Sequence, residues 1–81
     1  MLIRSQDKEV LVEITGRQLI VDSANGIVYV CLVSLDDADD TEPLGEYKNI
    51  EDAKKVLESI FMAYYRGFKA FQMPPKGGDN V

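Results

Sequence analysis

Cys31 is the single cysteine of the chain, and no histidine stands anywhere to serve it. A nucleophilic thiol needs a base to make thiolate, and histidine is the usual one. Cys31 also lies inside the unbroken apolar run Ile27-Val28-Tyr29-Val30-Cys31-Leu32-Val33, so it reads as a small buried hydrophobe. One cysteine supplies neither a disulfide framework nor a set of metal ligands. The acidic stretch 36–42 invites a calcium reading, because alternating carboxylates chelate hard cations. It lacks the glycine at the sixth position of an EF-hand loop, and a solvated connection between strands is the plainer reading. No Asp or Glu sits amid the apolar pattern where desolvation would raise its pKa for acid–base work. Apart from Gly77-Gly78 the glycines occur singly, so no phosphate-cradling loop is visible. The chain is therefore expected to be no enzyme, and no cofactor or metal is expected.

Binding residues are easier to find. Met62, Tyr65 and Arg66 end a predicted helix with the composition of a contact surface. The bland alternative is a tyrosine covering the helix edge beside an arginine in water. Arg4, Gln6 and Arg17 add polar groups near strand ends. In a compact oligomer, Arg4, Arg17, Tyr64, Tyr65 and Arg66 from neighbouring subunits could grip a phosphate and stack on a base.

The elements that must position these groups belong to one small domain, since the chain has 81 residues. An apolar content of 46% suits a globular fold and argues against disorder. A net charge of −5 disfavours binding to duplex nucleic acid or an anionic membrane. The first residues lack the apolar core of a secretory leader, and no stretch is long enough to span a membrane. The cytoplasm is the expected compartment.

Short strands are predicted over 2–5 and 9–14, then a strand over 18–22 leading through Asn25-Gly26 into the apolar run. Asn-Gly favours a type I′ turn, and with Asn25-Gly26 as the two loop residues the register follows. Ala24 should face Ile27, Asp22 Tyr29, Val21 Val30, Ile20 Cys31, and Leu19 Leu32. One hairpin face then carries Leu19, Val21, Val28, Val30 and Leu32, a clean core. The other carries Ile20, Tyr29, Cys31 and Val33 among polar residues, the mixture that partner-facing surfaces show. A half-exposed sheet face with scattered hydrophobes is the alternative. An edge-like strand follows over 43–47, then a helix from Ile50 to about Arg66, with Asn49 as N-cap and Gly67 as terminator. Its apolar stripe is Ile50, Ala53, Val56, Leu57, Ile60, Phe61 and Tyr64, leaving Met62 opposite. A last extended segment over 69–73 and a flexible tail over 76–81 complete the chain.

The expected fold is α+β: an antiparallel sheet of about five strands with one C-terminal helix packed on one face, a single domain over 1–75. A single helix covers one sheet face only, so a homo-oligomer is expected. Its interface is assigned to Ile20, Tyr29, Cys31, Val33 and Met62.

With its opening Ile3-Arg4-Ser5-Gln6, its Leu44-Gly45-Glu46-Tyr47, its Ala53…Val56-Leu57 helix and its closing Phe71-Gln72-Met73-Pro74, the chain resembles a known group. These are the short uncharacterised proteins encoded by bacteriophages, prophages and mobile elements of Gram-positive bacteria. The resemblance spans nearly the whole chain and brings no catalytic residues with it. It implies a small accessory protein acting stoichiometrically in the host cytoplasm. One expectation is a counter-defence sponge that sequesters a small nucleotide-type immune signal. The other is an inhibitor or adaptor that binds a host protein through its acidic surface.

Overall fold

A computed structural model describes residues 1–37 and 39–76 of the chain. Its elements are β1 (Leu2–Arg4), β2 (Leu11–Glu13), β3 (Arg17–Ala24), β4 (Ile27–Ser34), β5 (Thr41–Tyr47), α1 (Ile50–Tyr65) and β6 (Ala70–Gln72). The α+β class holds. The strands, however, form two sheets of three, ordered β2-β1-β6 and β3-β4-β5, in place of one sheet of about five. The reason lies at both chain ends. β1 pairs with β2, and after α1 the chain returns as β6 to pair parallel with β1 on its other side, so both edges of β1 are used within the smaller sheet. The helix is therefore followed by a strand. The tail expected over 76–81 lies outside the described residues except at Lys76, whose ammonium meets the Glu46 carboxylate at 2.7 Å.

The long hairpin follows the predicted register from Ala24↔Ile27 to Leu19↔Leu32 and on to Arg17↔Ser34. Asn25 and Gly26 both take positive φ, 54° and 79°, as a type I′ turn requires. Pairing of β4 with β5 shifts between Val30 and Cys31, where Leu44 is the extra residue of a bulge. The bulge turns Leu44 into the core, where 2% of it is exposed.

At the helix N-terminus the Asn49 carboxamide oxygen accepts the Asp52 N–H at 2.7 Å. At the other end Gly67 takes φ +80° and donates to the Tyr64 carbonyl, while Phe68 N–H donates to the Ala63 carbonyl. That pair of bonds is a Schellman closure, and it turns the chain sharply toward β6.

One core joins both sheets and the helix. Ile3, Val12 and Met73 come from the smaller sheet and its exit; Val28, Val30, Leu32, Leu44 and Tyr47 from the larger; Ala53, Val56 and Ile60 from α1. Each buried Val, Leu, Ile or Met among them contributes about 1.5–3 kcal/mol. The buried line of α1 runs Ala53, Val56, Ile60, Ala63, so the helix is rotated toward Ala63 relative to the predicted stripe. Phe61 and Tyr64 consequently stand 60% and 67% exposed, and Met62 is half-buried instead of fully outward.

Cys31 and Val33 are buried within the single chain, so they offer little surface to a neighbour. β4 is the central strand, and residues beside them on the flanking strands shield them. Ile20 and Pro43 flank Cys31; Gln18 and Thr41 flank Val33. A second covering layer is not needed for these two residues. Ile20 and Tyr29, on the same face, remain half-buried.

Candidate functional site

Two regions gather polar or aromatic side chains from distant parts of the chain. The first is a junction beside β5. The backbone N–H of Gln6 donates to the Leu44 carbonyl at 2.8 Å. Its side-chain amide takes both backbone groups of Glu46: Nε2 donates to the carbonyl at 3.0 Å, and Oε1 accepts the N–H at 3.1 Å. Nε2 also reaches the Pro74 carbonyl at 3.0 Å, and the Tyr47 hydroxyl donates to that same oxygen at 2.9 Å. Burial pushes the Tyr47 phenol up to about 12. Gln72 ties in from β6, donating to the carbonyls of Ser5 and Met73. The segments around Gln6, Leu44–Tyr47 and Gln72–Pro74 thus meet in one place. Their bonds go to one another, as in a structural joint.

The second region lies at the C-terminal end of α1. A groove of about 510 Å³ runs between α1 and the β2–β3 connection, lined by Ile14, Leu19, Leu57, Phe61 and Tyr64 among others. A neighbouring groove of about 570 Å³ shares Met1 and Tyr64 with it and adds Leu2, Glu13, Phe68 and Lys69. Phe61, Tyr64, Phe68 and Leu2 are all exposed, so a continuous apolar and aromatic surface borders the two grooves. Tyr65, the most exposed large hydrophobic among the described residues at 77%, follows Tyr64 in the last turn. Glu13 is occupied: the N-terminal ammonium lies 2.7 Å from its carboxylate and holds it below the usual glutamate range.

The predicted ligand residues do not all converge. Tyr64 borders both grooves, and Arg66 is the exposed C-cap of α1. Arg17 begins β3 next to Gly16, which lines the first groove, but its side chain is not part of that lining. Arg4 points elsewhere: its Nε donates to Gln72 Oε1, and it borders a separate groove with Leu11 and Phe71. Cys31 is buried, and desolvation raises its thiol pKa, with Asp22 adding to the shift. Among the described residues no group of three or more His, Cys, Asp or Glu is placed to hold a metal ion. Nor is any helix there long and apolar enough to cross a membrane.

Phe61, Phe68, Lys69 and Leu2 were not legible as surface residues. Phe61 shares the helical period of the core, but the buried line runs Ala53, Val56, Ile60, Ala63 and leaves it outward. Phe68 had a usable signal, because a residue after an αL glycine leaves the helix axis. No family model, no curated protein and no solved structure matches the chain.

Proposed function

We propose that the protein works stoichiometrically and without catalysis, as an accessory protein of a phage or mobile element that binds a host protein. Its contact surface is the aromatic end of α1: Tyr64, Tyr65 and Phe68, with Leu2 beside them. The observation that carries this reading is the exposure of Tyr64, Phe68 and Leu2 around one groove, with Tyr65 exposed next in the chain. Aromatic anchors of this kind dominate protein interfaces, and a monomer gains nothing by leaving them in water. The acidic loop, with Asp36, Asp37, Asp39 and Asp40 exposed, then contributes to partner choice and encounter rate more than to affinity.

A nucleotide-type ligand is the second reading, favoured by Lys69 in the groove that Tyr64 and Phe68 border. A base stacked on the rings would place a phosphate near that ammonium. Arg4 and Arg17 have no part in it. The double variant Tyr64→Ala/Phe68→Ser separates the two. Capture of a host protein by the wild type, lost in the double variant, supports the protein contact. Undiminished capture by the variant refutes it. A melting shift with cyclic or ADP-ribose-type nucleotides, abolished by Lys69→Glu, establishes the second reading instead.

A further inference from the structure

We propose that β3 is a self-pairing edge: two copies of the chain join antiparallel along it, making one continuous sheet centred on Ile20. The evidence is the state of its outer backbone groups. The hairpin closes on the pair Ala24–Ile27, so residues 18, 20, 22 and 24 bond to β4. Residues 17, 19, 21 and 23 turn their N–H and C=O groups outward. Two of the outward donors are already used. Arg17 N–H donates to the Ile14 carbonyl at 3.0 Å, and Ser23 N–H to the Asp22 carboxylate at 2.8 Å. Leu19 and Val21 have no such partner among the described residues.

This pattern selects one register. A two-fold axis perpendicular to the sheet keeps each side chain on its own face, so opposed residues must both be odd or both be even. Centring the axis on Leu19 would pair Val21 with Arg17, whose donor is spent. Centring it on Val21 would pair Leu19 with Ser23, whose donor is also spent. An axis through Ile20 pairs Leu19 with Val21 of the second copy, and each such pair exchanges two bonds between free groups. Ile20 then meets Ile20 of the second copy, and Gln18 meets Asp22 of the second copy. Apolar residues fall opposite apolar ones, and the polar pair forms the ends.

The helix agrees with this seam. Leu19 and Val21 pack against the core on the face that α1 covers. Leu57 and Phe61 line the groove that holds Leu19, so they stand on the β3 side of α1. In the pair, that flank turns toward the same flank of the second helix, which would cover the exposed Phe61 ring. The other long-sheet edge offers no equivalent. β5 carries Pro43, a bulge at Leu44, and the Gln6 amide on both backbone groups of Glu46. Tyr65, Phe68 and Leu2 are not part of the groove that holds Leu19, which the proposed contact surface touches only at Tyr64, so the two proposals are tested by different variants.

The test uses the full chain. Light scattering during size-exclusion chromatography should show a dimer whose share grows with concentration. Ile20→Lys sets like charges opposite each other on the axis and should weaken the dimer about a hundredfold, with the monomer still folded. Ile20→Cys reads the register, in a Cys31→Ala background because Cys31 faces Ile20 within the hairpin. Opposed residues of a non-hydrogen-bonded pair lie about 4.5 Å apart at Cα, within disulfide reach, so oxidation should give a covalent dimer. A monomer at every concentration overturns the proposal, as does a dimer that Ile20→Lys leaves intact. Should Ile20→Lys fail to fold, the cysteine variant decides: a covalent dimer supports the register and its absence refutes it.

Discussion

The larger sheet has two edges, and the chain treats them differently. The β5 edge is closed by its own neighbours, with Gln6 lying against it like a short extra strand and Pro74 accepting from both Gln6 and Tyr47. The β3 edge is eight residues long, contains no proline and no bulge, and keeps Leu19 and Val21 open. Exposed edges are templates for strand addition, and proteins blunt those they do not use. The lesson is about economy of cover. One face of the apolar central strand is buried in the core with α1, Cys31 and Val33 on the other are shielded by the flanking strands, and the question of partners moves from the sheet face to the sheet edge.

The largest expected effect comes from removing the bulge side chain that holds the closed edge. Leu44→Ala should lower stability by about 2–5 kcal/mol in urea titration, the usual cost of a cavity left by a buried leucine. A loss below 1 kcal/mol, on the order of a conservative surface change, would show that the bulge does not anchor β5. Gln6→Ala comes next, at about 1–3 kcal/mol, because Glu46 and Pro74 lose their partners in a partly buried site. Amide hydrogen exchange sharpens the contrast: Glu46 should exchange slowly in the wild type and quickly in Gln6→Ala. Val21 should exchange quickly in dilute wild-type protein and slow with concentration if the edge self-pairs.

How the sequence announces these two edges is unequal. Asn25-Gly26 fixes the hairpin because few dipeptides accept positive φ twice, and the register from Ala24 to Leu19 follows from it. Asn49 and Gly67 bound the helix through equally local chemistry. The pairing of β1 with β6 is a contact between residues 68 apart in sequence, and no local pattern encodes it. Gln6 carried no signal for its role, since a glutamine that mimics a strand looks like any polar residue after one. The helix end shows the same limit. Periodicity sets Phe61 and Ala63 on opposite flanks of Ile60, so a modest rotation of the helix decides which of them is buried, and here it is Ala63.

Tyr47 gives a smaller effect and one with a pH signature. Tyr47→Phe removes the hydroxyl bond to Pro74 and should cost about 1 kcal/mol at neutral pH. The folded phenol is raised to about 12 from an ordinary value of 10.0. Stability from the neutral phenol is therefore fully present below pH 10 and is lost as pH rises toward 12. The difference between ultraviolet titrations of the wild type and Tyr47→Phe should show Tyr47 ionising well above its ordinary 10.0. Ionisation at the ordinary value would mean that the joint beside β5 opens readily.

The smallest effects separate the two regions again, this time in acid. Asp7 belongs to the closed side, where the Ser5 hydroxyl and then the Glu9 N–H hold its carboxyl below the ordinary 3.8. Glu13 belongs to the aromatic side, held below 4.5 chiefly by its bond to the N-terminal ammonium. Both folded values are depressed, so both contributions are present above the ordinary carboxylate range and fade as pH falls through the folded values. Salt distinguishes them. The Glu13 contact joins two full charges, so part of its effect should disappear at high ionic strength. Asp7 bonds to neutral donors, and its effect should persist. Melting curves of Asp7→Asn and Glu13→Gln at pH 7, with and without added salt, test this. An equal salt response from the two variants would show that the ammonium contact contributes nothing specific to the aromatic side.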